Sequence, residues 1–152
     1  MPETSEAARI ADQLRRVYEG PAWLGPNLRD LLSDVGEEGA RRRRLEGVHT
    51  IWELVLHISA WLRIARERLT AATLREVTDA EDWPKMTGTW EDALALLQRE
   101  ERALEDAIRA FPEDRLEDEA VGSEPQTFYI LLHGAIQHAA YHAGQIAILK
   151  KG

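Results

Sequence analysis

The 152-residue chain is 44% hydrophobic and 30% charged, an ordinary globular composition that excludes wholesale disorder and collagen-like structure. With 19 Lys and Arg against 27 Asp and Glu, its formal charge of −8 repels phosphate backbones and anionic lipid, so neither nucleic acid nor a membrane is expected as a partner. Cysteine is absent, which removes disulfides, thiolate ligands and a cysteine nucleophile together.

The length fits one domain over residues 1–152. No run approaches the ~18 apolar residues of a membrane span. One of the longest, Phe128 to Leu132, stops at His133. The start, Met1 to Glu6, is polar and acidic and lacks the hydrophobic core of a secretory signal. These features lead to the expectation of a soluble cytoplasmic protein.

Apolar positions Ala8, Ala11, Leu14, Val17 and Tyr18, spaced by three and four, predict a helix over residues 5–18 that ends at Gly20-Pro21. A long connector follows, with Trp23, Gly25-Pro26 and a short helical piece through Leu28, Leu31 and Leu32. Next comes a polar stretch, Glu37 to Glu46, containing Arg41 to Arg44. Its flanking glutamates favour a solvated loop or helix face over a nucleic-acid contact. Thr50-Ile51-Trp52-Glu53 is a capping box that opens a second helix over 50–70, with a stripe of Leu54, Val55, Ile58, Trp61, Leu62, Ala65 and Leu69. A third helix over 89–110 begins at Thr89 and stops at Phe111-Pro112. Ser123-Glu124-Pro125-Gln126 reads as another capping box with a first-turn proline, opening a fourth helix over 124–149. No segment reads as a strand pair, a phosphate-binding glycine loop or a repeat, so the expected class is all-α, a four-helix bundle.

Five histidines punctuate these helices: His49, His57, His133, His138 and His142. His138 and His142 are four residues apart, so on a helix their rings lie about 40° apart and ~6 Å along the axis. Both can therefore reach one ion. The other reading is a pair of buried imidazoles bonded to carbonyls or water. His57, in the apolar Leu54 to Ile58 segment, shifts the balance toward a three-histidine site between two helices. Three neutral nitrogens suit a borderline divalent ion such as zinc, nickel, iron or copper, and leave one position open. His133 lies about 140° around the helix from His138 and cannot share that ion. His49 lies ~12 Å along the axis from His57.

Four other residues are candidates for the pocket. Glu53, one turn before His57, is a possible fourth ligand or base, although the capping box already gives it a role. Gln145 follows His142 by three residues on the same face and is expected either near a bound water or at a polar end of the bundle. Tyr141 is a candidate for orienting a substrate, although the default for such a residue is core packing with its hydroxyl at the rim. Trp61, one turn from His57, is a candidate for the pocket wall. Of the five tryptophans, Trp23 and Trp83 lie in Pro-flanked connectors of the kind that form lids, while most of the five are expected in the core.

The blocks Val48-His49-Thr50-Ile51-Trp52-Glu53-Leu54-Val55-Leu56-His57-Ile58 and His138-Ala139-Ala140-Tyr141-His142-Ala143-Gly144-Gln145-Ile146 resemble the signature helices of the DinB/YfiT-like metal-binding proteins. The Gly20 to Pro26 connector and Asp82-Trp83-Pro84 are similar to that family as well. The resemblance implies an up-down-down-up four-helix bundle, often a dimer, with a divalent metal at one end held by His57, His138 and His142. It also implies a metal-dependent hydrolase, or a transferase that uses a small thiol, acting on a small molecule. With no cysteine in the chain, such a thiol arrives as a low-molecular-weight cofactor. The alternative is a non-catalytic metal- or ligand-binding bundle.

Overall fold

Each long helix begins where a hydroxyl can satisfy its first free amides. The computed structural model describes residues 4–152. In it Ser5 accepts from the Ala8 amide at 3.1 Å and opens α1 (Glu6–Glu19). Two short helices, α2 (Leu28–Leu32) and α3 (Glu37–Arg41), occupy the connector that follows. The Thr50/Glu53 capping box opens α4 (Ile51–Arg68) as the sequence predicts. A second box, Thr78/Glu81, opens the one-turn α5 (Asp79–Asp82), and a third, Thr89/Asp92, opens α6 (Trp90–Arg109). The last helix, α7, runs Phe128–Leu149.

The start of α7 differs from the sequence expectation of residue 124. Thr127, not Ser123, is its cap, accepting from the Ile130 amide at 3.2 Å. Residues 119–127 instead form a small hairpin, so a strand pair does exist: Glu119 opposes Thr127 and Ala120 opposes Gln126. The reason lies in the backbone accounting. The Phe128 and Tyr129 amides donate to the Asp118 and Leu116 carbonyls, partners that the Ser-x-x-Gln pattern cannot reveal.

Helix α4 is the centre of the packing, with twelve of its eighteen residues buried, and it lies against both α6 and α7. Helix α1 completes the arrangement by packing on α6 and α7 from the other side. The four helices enclose a common apolar core. At one end of it Trp52 and Trp90 meet at 5.7 Å. The α2–α3 connector covers that end: Trp90 donates its indole N–H to the Val35 carbonyl at 2.7 Å, and Arg41 lies over Trp52 at 5.0 Å. The arginine run is therefore more than a solvated face. Arg41 and Arg42 pair with Glu37 and Glu38, Arg43 reaches Glu53, and Arg44 bonds the Gly152 carbonyl. No helix of the described residues is long and apolar enough to cross a membrane.

Two acids of α6 are buried. Glu100 is paired with Arg66 at 3.0 Å, whereas Glu101 has an unpartnered oxygen among Leu14, Tyr18, Leu62 and Leu97. Burial, reinforced by Glu105 and Glu19, pushes the Glu101 carboxyl up to about 7 from its ordinary 4.5. Its folded pKa exceeds its unfolded one, so stability is full below about pH 4.5 and is lost as pH rises through about 7. Glu101→Gln is expected to raise stability at pH 8 by on the order of 2 kcal/mol and to change it little at pH 4.5, as measured by urea unfolding at both values. The cap assignment has its own check. Thr127→Ala should destabilise by about 1 kcal/mol, while Ser123→Ala should leave the melting temperature unchanged.

Candidate metal centre

Helix α4 brings His57 and helix α7 brings His138 and His142 to one point. The His138 Nε2 lies 3.0 Å from the His57 Nε2 and 3.1 Å from the His142 Nε2. His57 and His142 are buried, and His138 is half-buried. This is the group of three or more metal-ligating side chains found among the described residues, with all three nitrogens within 4.8 Å of one another.

Two of the rings are aimed by what their other nitrogen does. The His57 Nδ1–H donates to the Asp82 carbonyl at 2.6 Å. That carbonyl belongs to the last residue of α5, where a helix leaves its final acceptors free. The His142 Nδ1–H donates to the Gln145 Oε1 at 2.6 Å, across one turn of α7. A neutral imidazole has one N–H, so spending it at Nδ1 leaves Nε2 as a bare lone pair. Two lone pairs thus point at the third ring, which has at most one proton to share between them.

The two rings of α7 are biased toward the neutral form. Burial, with the neighbouring His142 and His57 rings adding to it, pushes His138 down to about 4. Burial likewise lowers His142, against the opposing effect of its Gln145 hydrogen bond. Nitrogens bound tetrahedrally to zinc at about 2.0–2.1 Å stand about 3.3 Å apart, a few tenths from the 3.0 and 3.1 Å that separate the His138 Nε2 from the other two. Three converging imidazole nitrogens are therefore a donor set that fits a divalent ion.

Residues 22–146 match the family model described as the DinB superfamily. The chain belongs to the DinB superfamily. No curated protein and no solved structure matches it significantly. The DinB match spans α4 through most of α7, and so includes all three histidines.

Around this DinB cluster the aromatic residues form a clamp. Trp83 is stacked between two imidazoles, 3.5 Å from His49 and 3.8 Å from His57, with nearly parallel planes. His49 therefore touches the site through Trp83 rather than as a ligand. Trp61 meets His138 at 5.9 Å and donates its indole N–H to the Asp82 carboxylate at 2.7 Å. Beside the cluster opens a cavity of about 330 Å³, lined by Trp61, Leu62, Leu131 and Ala135 together with His57 and His138.

The other candidates fall elsewhere. Glu53 accepts from the Thr50 amide at 2.7 Å and from Arg43 at 3.0 Å. Burial works to raise its pKa, but the Thr50 amide and Arg43 outweigh it and hold the carboxylate low. Glu53 is not grouped with the histidines. Gln145 bonds the His142 ring directly. Tyr141 is not in the core as expected: it is 67% exposed, and only its ring edge meets His142. Trp23 is fully exposed rather than core. His133 sits against Tyr129 with a buried, unpartnered Nε2, away from the cluster. The roles of Asp82 and Trp83 escape the sequence reading, although the Thr78-x-x-Glu81 capping box marks the start of a short helix and Pro84 marks its stop.

Proposed function

We propose that His57, His138 and His142 hold one divalent ion, zinc, nickel or iron, and that the protein is a metal-dependent enzyme acting on a small molecule. The observation that carries this reading is the pair of Nε2 lone pairs aimed at a third imidazole beside a mostly apolar cavity. Without a cation that arrangement is electrostatically frustrated. A bound divalent ion supplies Lewis acidity, which eases deprotonation of a water or a thiol at neutral pH.

The protein's own residues do the positioning. Asp82 and Gln145 fix the ring orientations, Trp83 covers one face of His57, and Leu62 and Leu131 keep the cavity wall apolar. With Glu53 held in its cap, no fourth protein ligand closes the donor set among the described residues. This favours a hydrolase or a small-thiol-dependent transferase. In the second case the thiol is a low-molecular-weight cofactor, and a cytoplasmic location would keep it reduced.

The same reading takes residues 1–152 as one domain with an up-down-down-up path. In support, the starts of α4 and α6 meet at Trp52 and Trp90, whereas His57 in the first half of α4 meets His142 in the second half of α7. Neither nucleic acid nor a membrane is part of the reading. We further propose a homodimer formed through the outer face of α7. That helix carries no Asp, Glu, Lys or Arg, and Ile130, Gln137, Tyr141, Gly144 and Ile148 are exposed along it at steps of three, four or seven residues. In a chain of charge −8, this uncharged stripe is where two copies can meet without repulsion.

Metal analysis of the purified protein tests the centre. His142→Ala should lose most of the bound ion, whereas His133→Ala should keep it; equal losses would reject the assignment. Turnover of small-molecule panels, with and without thiols, should vanish in His57→Ala. An ion retained without any turnover would favour the non-catalytic reading. For the dimer, light scattering at micromolar concentration should report two copies for the native chain and one for Ile148→Glu.

A further inference from the structure

Arg68, the last residue of α4, differs from the other arginines of that helix. Arg63 pairs with Glu67 and Arg66 with Glu100. Glu67 and Glu81 are in turn engaged by Arg75. Among the described residues no carboxylate pairs with Arg68. Its guanidinium lies instead over the Trp61 ring, 5.6 Å from the centroid. Trp61 is seven positions earlier, about 10 Å back along the helix axis, so the Arg68 side chain folds toward the histidine end. It lines the same cavity as His57 and His138.

This cation is half-buried, and the walls between it and the histidines are Ile58, Leu62, Ala65 and Leu131. Burial, followed by repulsion from Arg75, lowers its pKa, yet a guanidinium remains charged in proteins. A partly desolvated cation with only a ring face for company has lost hydration without gaining an ion pair. A monoanionic ligand group would supply the missing partner. The planar guanidinium presents two parallel N–H groups that match a carboxylate. The Asp82 carboxylate on the same cavity wall opposes a more highly charged phosphate.

We propose that Arg68 is a specificity-determining anchor, and that the substrate is a small, largely apolar carboxylic acid whose carboxylate sits on Arg68 while its far end reaches the three histidines. The inference rests on the cavity being the site of the metal-dependent reaction, and it names the substrate class for that site. Trp61 sets the span, with its ring 5.6 Å from the guanidinium on one side and 5.9 Å from the His138 ring on the other. A cavity of about 330 Å³ is at the small end of the range for small-molecule sites.

The test is calorimetric titration of the full chain, ion-loaded and chelator-treated, with 4-phenylbutyrate and with the uncharged 4-phenylbutyramide. The native protein should prefer the acid by about tenfold or more in both forms. Arg68→Gln should bring the ratio near one, and Arg68→Lys should retain part of the preference, with metal content and melting temperature unchanged in both. Equal binding of acid and amide by the native chain overturns the proposal, as does failure of both probes to bind at millimolar concentration. A preference that survives Arg68→Gln, or that disappears when the ion is removed, assigns the carboxylate to the histidine end and also overturns it. Failure of the metal reading is separate: the protein then takes up no ion, while the acid-to-amide ratio still follows Arg68.

Discussion

The site depends on where two protons sit. His57 gives its one N–H to the Asp82 carbonyl, and His142 gives its own to Gln145, both at 2.6 Å. Once those protons are committed, the opposite nitrogens can only accept, and both face the His138 Nε2 at about hydrogen-bond distance. Burial prevents the obvious escape of taking up further protons, because it lowers the pKa of His138 and His142. A cluster meant only to fill a core would pair each lone pair with a donor. This one concentrates acceptors, and the aromatic clamp of Trp61 and Trp83 keeps the rings from turning away.

The helices were legible wherever their signals are local. The apolar spacing of α1, the Thr50 capping box of α4, and the Thr89 start and Phe111-Pro112 stop of α6 place these helices within about two residues of their observed limits. The start of α7 was not legible, because two patterns compete there. Ser123 to Gln126 satisfies the capping rule on paper, but the chain is drawn into a hairpin by carbonyls of Leu116 and Asp118, which only the folded backbone brings near. The buried Glu100 and Glu101 were invisible for a similar reason. Charge predicts exposure, and the packing of α6 against α1 and α4 overrides it.

Legibility of the site divides along the same line. His138 and His142 declare themselves by spacing within one helix, and His57 by standing alone in an apolar segment. Tyr141 was misplaced because its ring reads as core material, whereas it lies on the exposed, uncharged side of α7. Asp82 and Trp83 reach His57 from 25 and 26 positions away in the chain, and no periodicity connects a connector residue to the middle of another helix.

That distance makes the connector more than a spacer. Asp82 can accept from His57 only if α5 stops at Asp82 and lies in register with α4. The Thr78/Glu81 box fixes where α5 starts. Glu81 also accepts from Arg75 at 2.8 Å, and Arg75 reaches across to Glu67 on α4 at 3.1 Å, while Glu67 is held by Arg63 at 2.8 Å. Exposed ion pairs of this kind contribute little stability one at a time. Their effect here is positional. They tie the connector to the helix that carries His57, so the acceptor and the ring it orients move together. Helix α4 thus contributes its histidine and, through Arg63 and Glu67, anchors the loop that aims it. Gln145 performs the corresponding task for His142 within a single turn of α7. One ring is oriented by local helix geometry and the other by a long-range tether, and the three nitrogens converge only where both conditions hold.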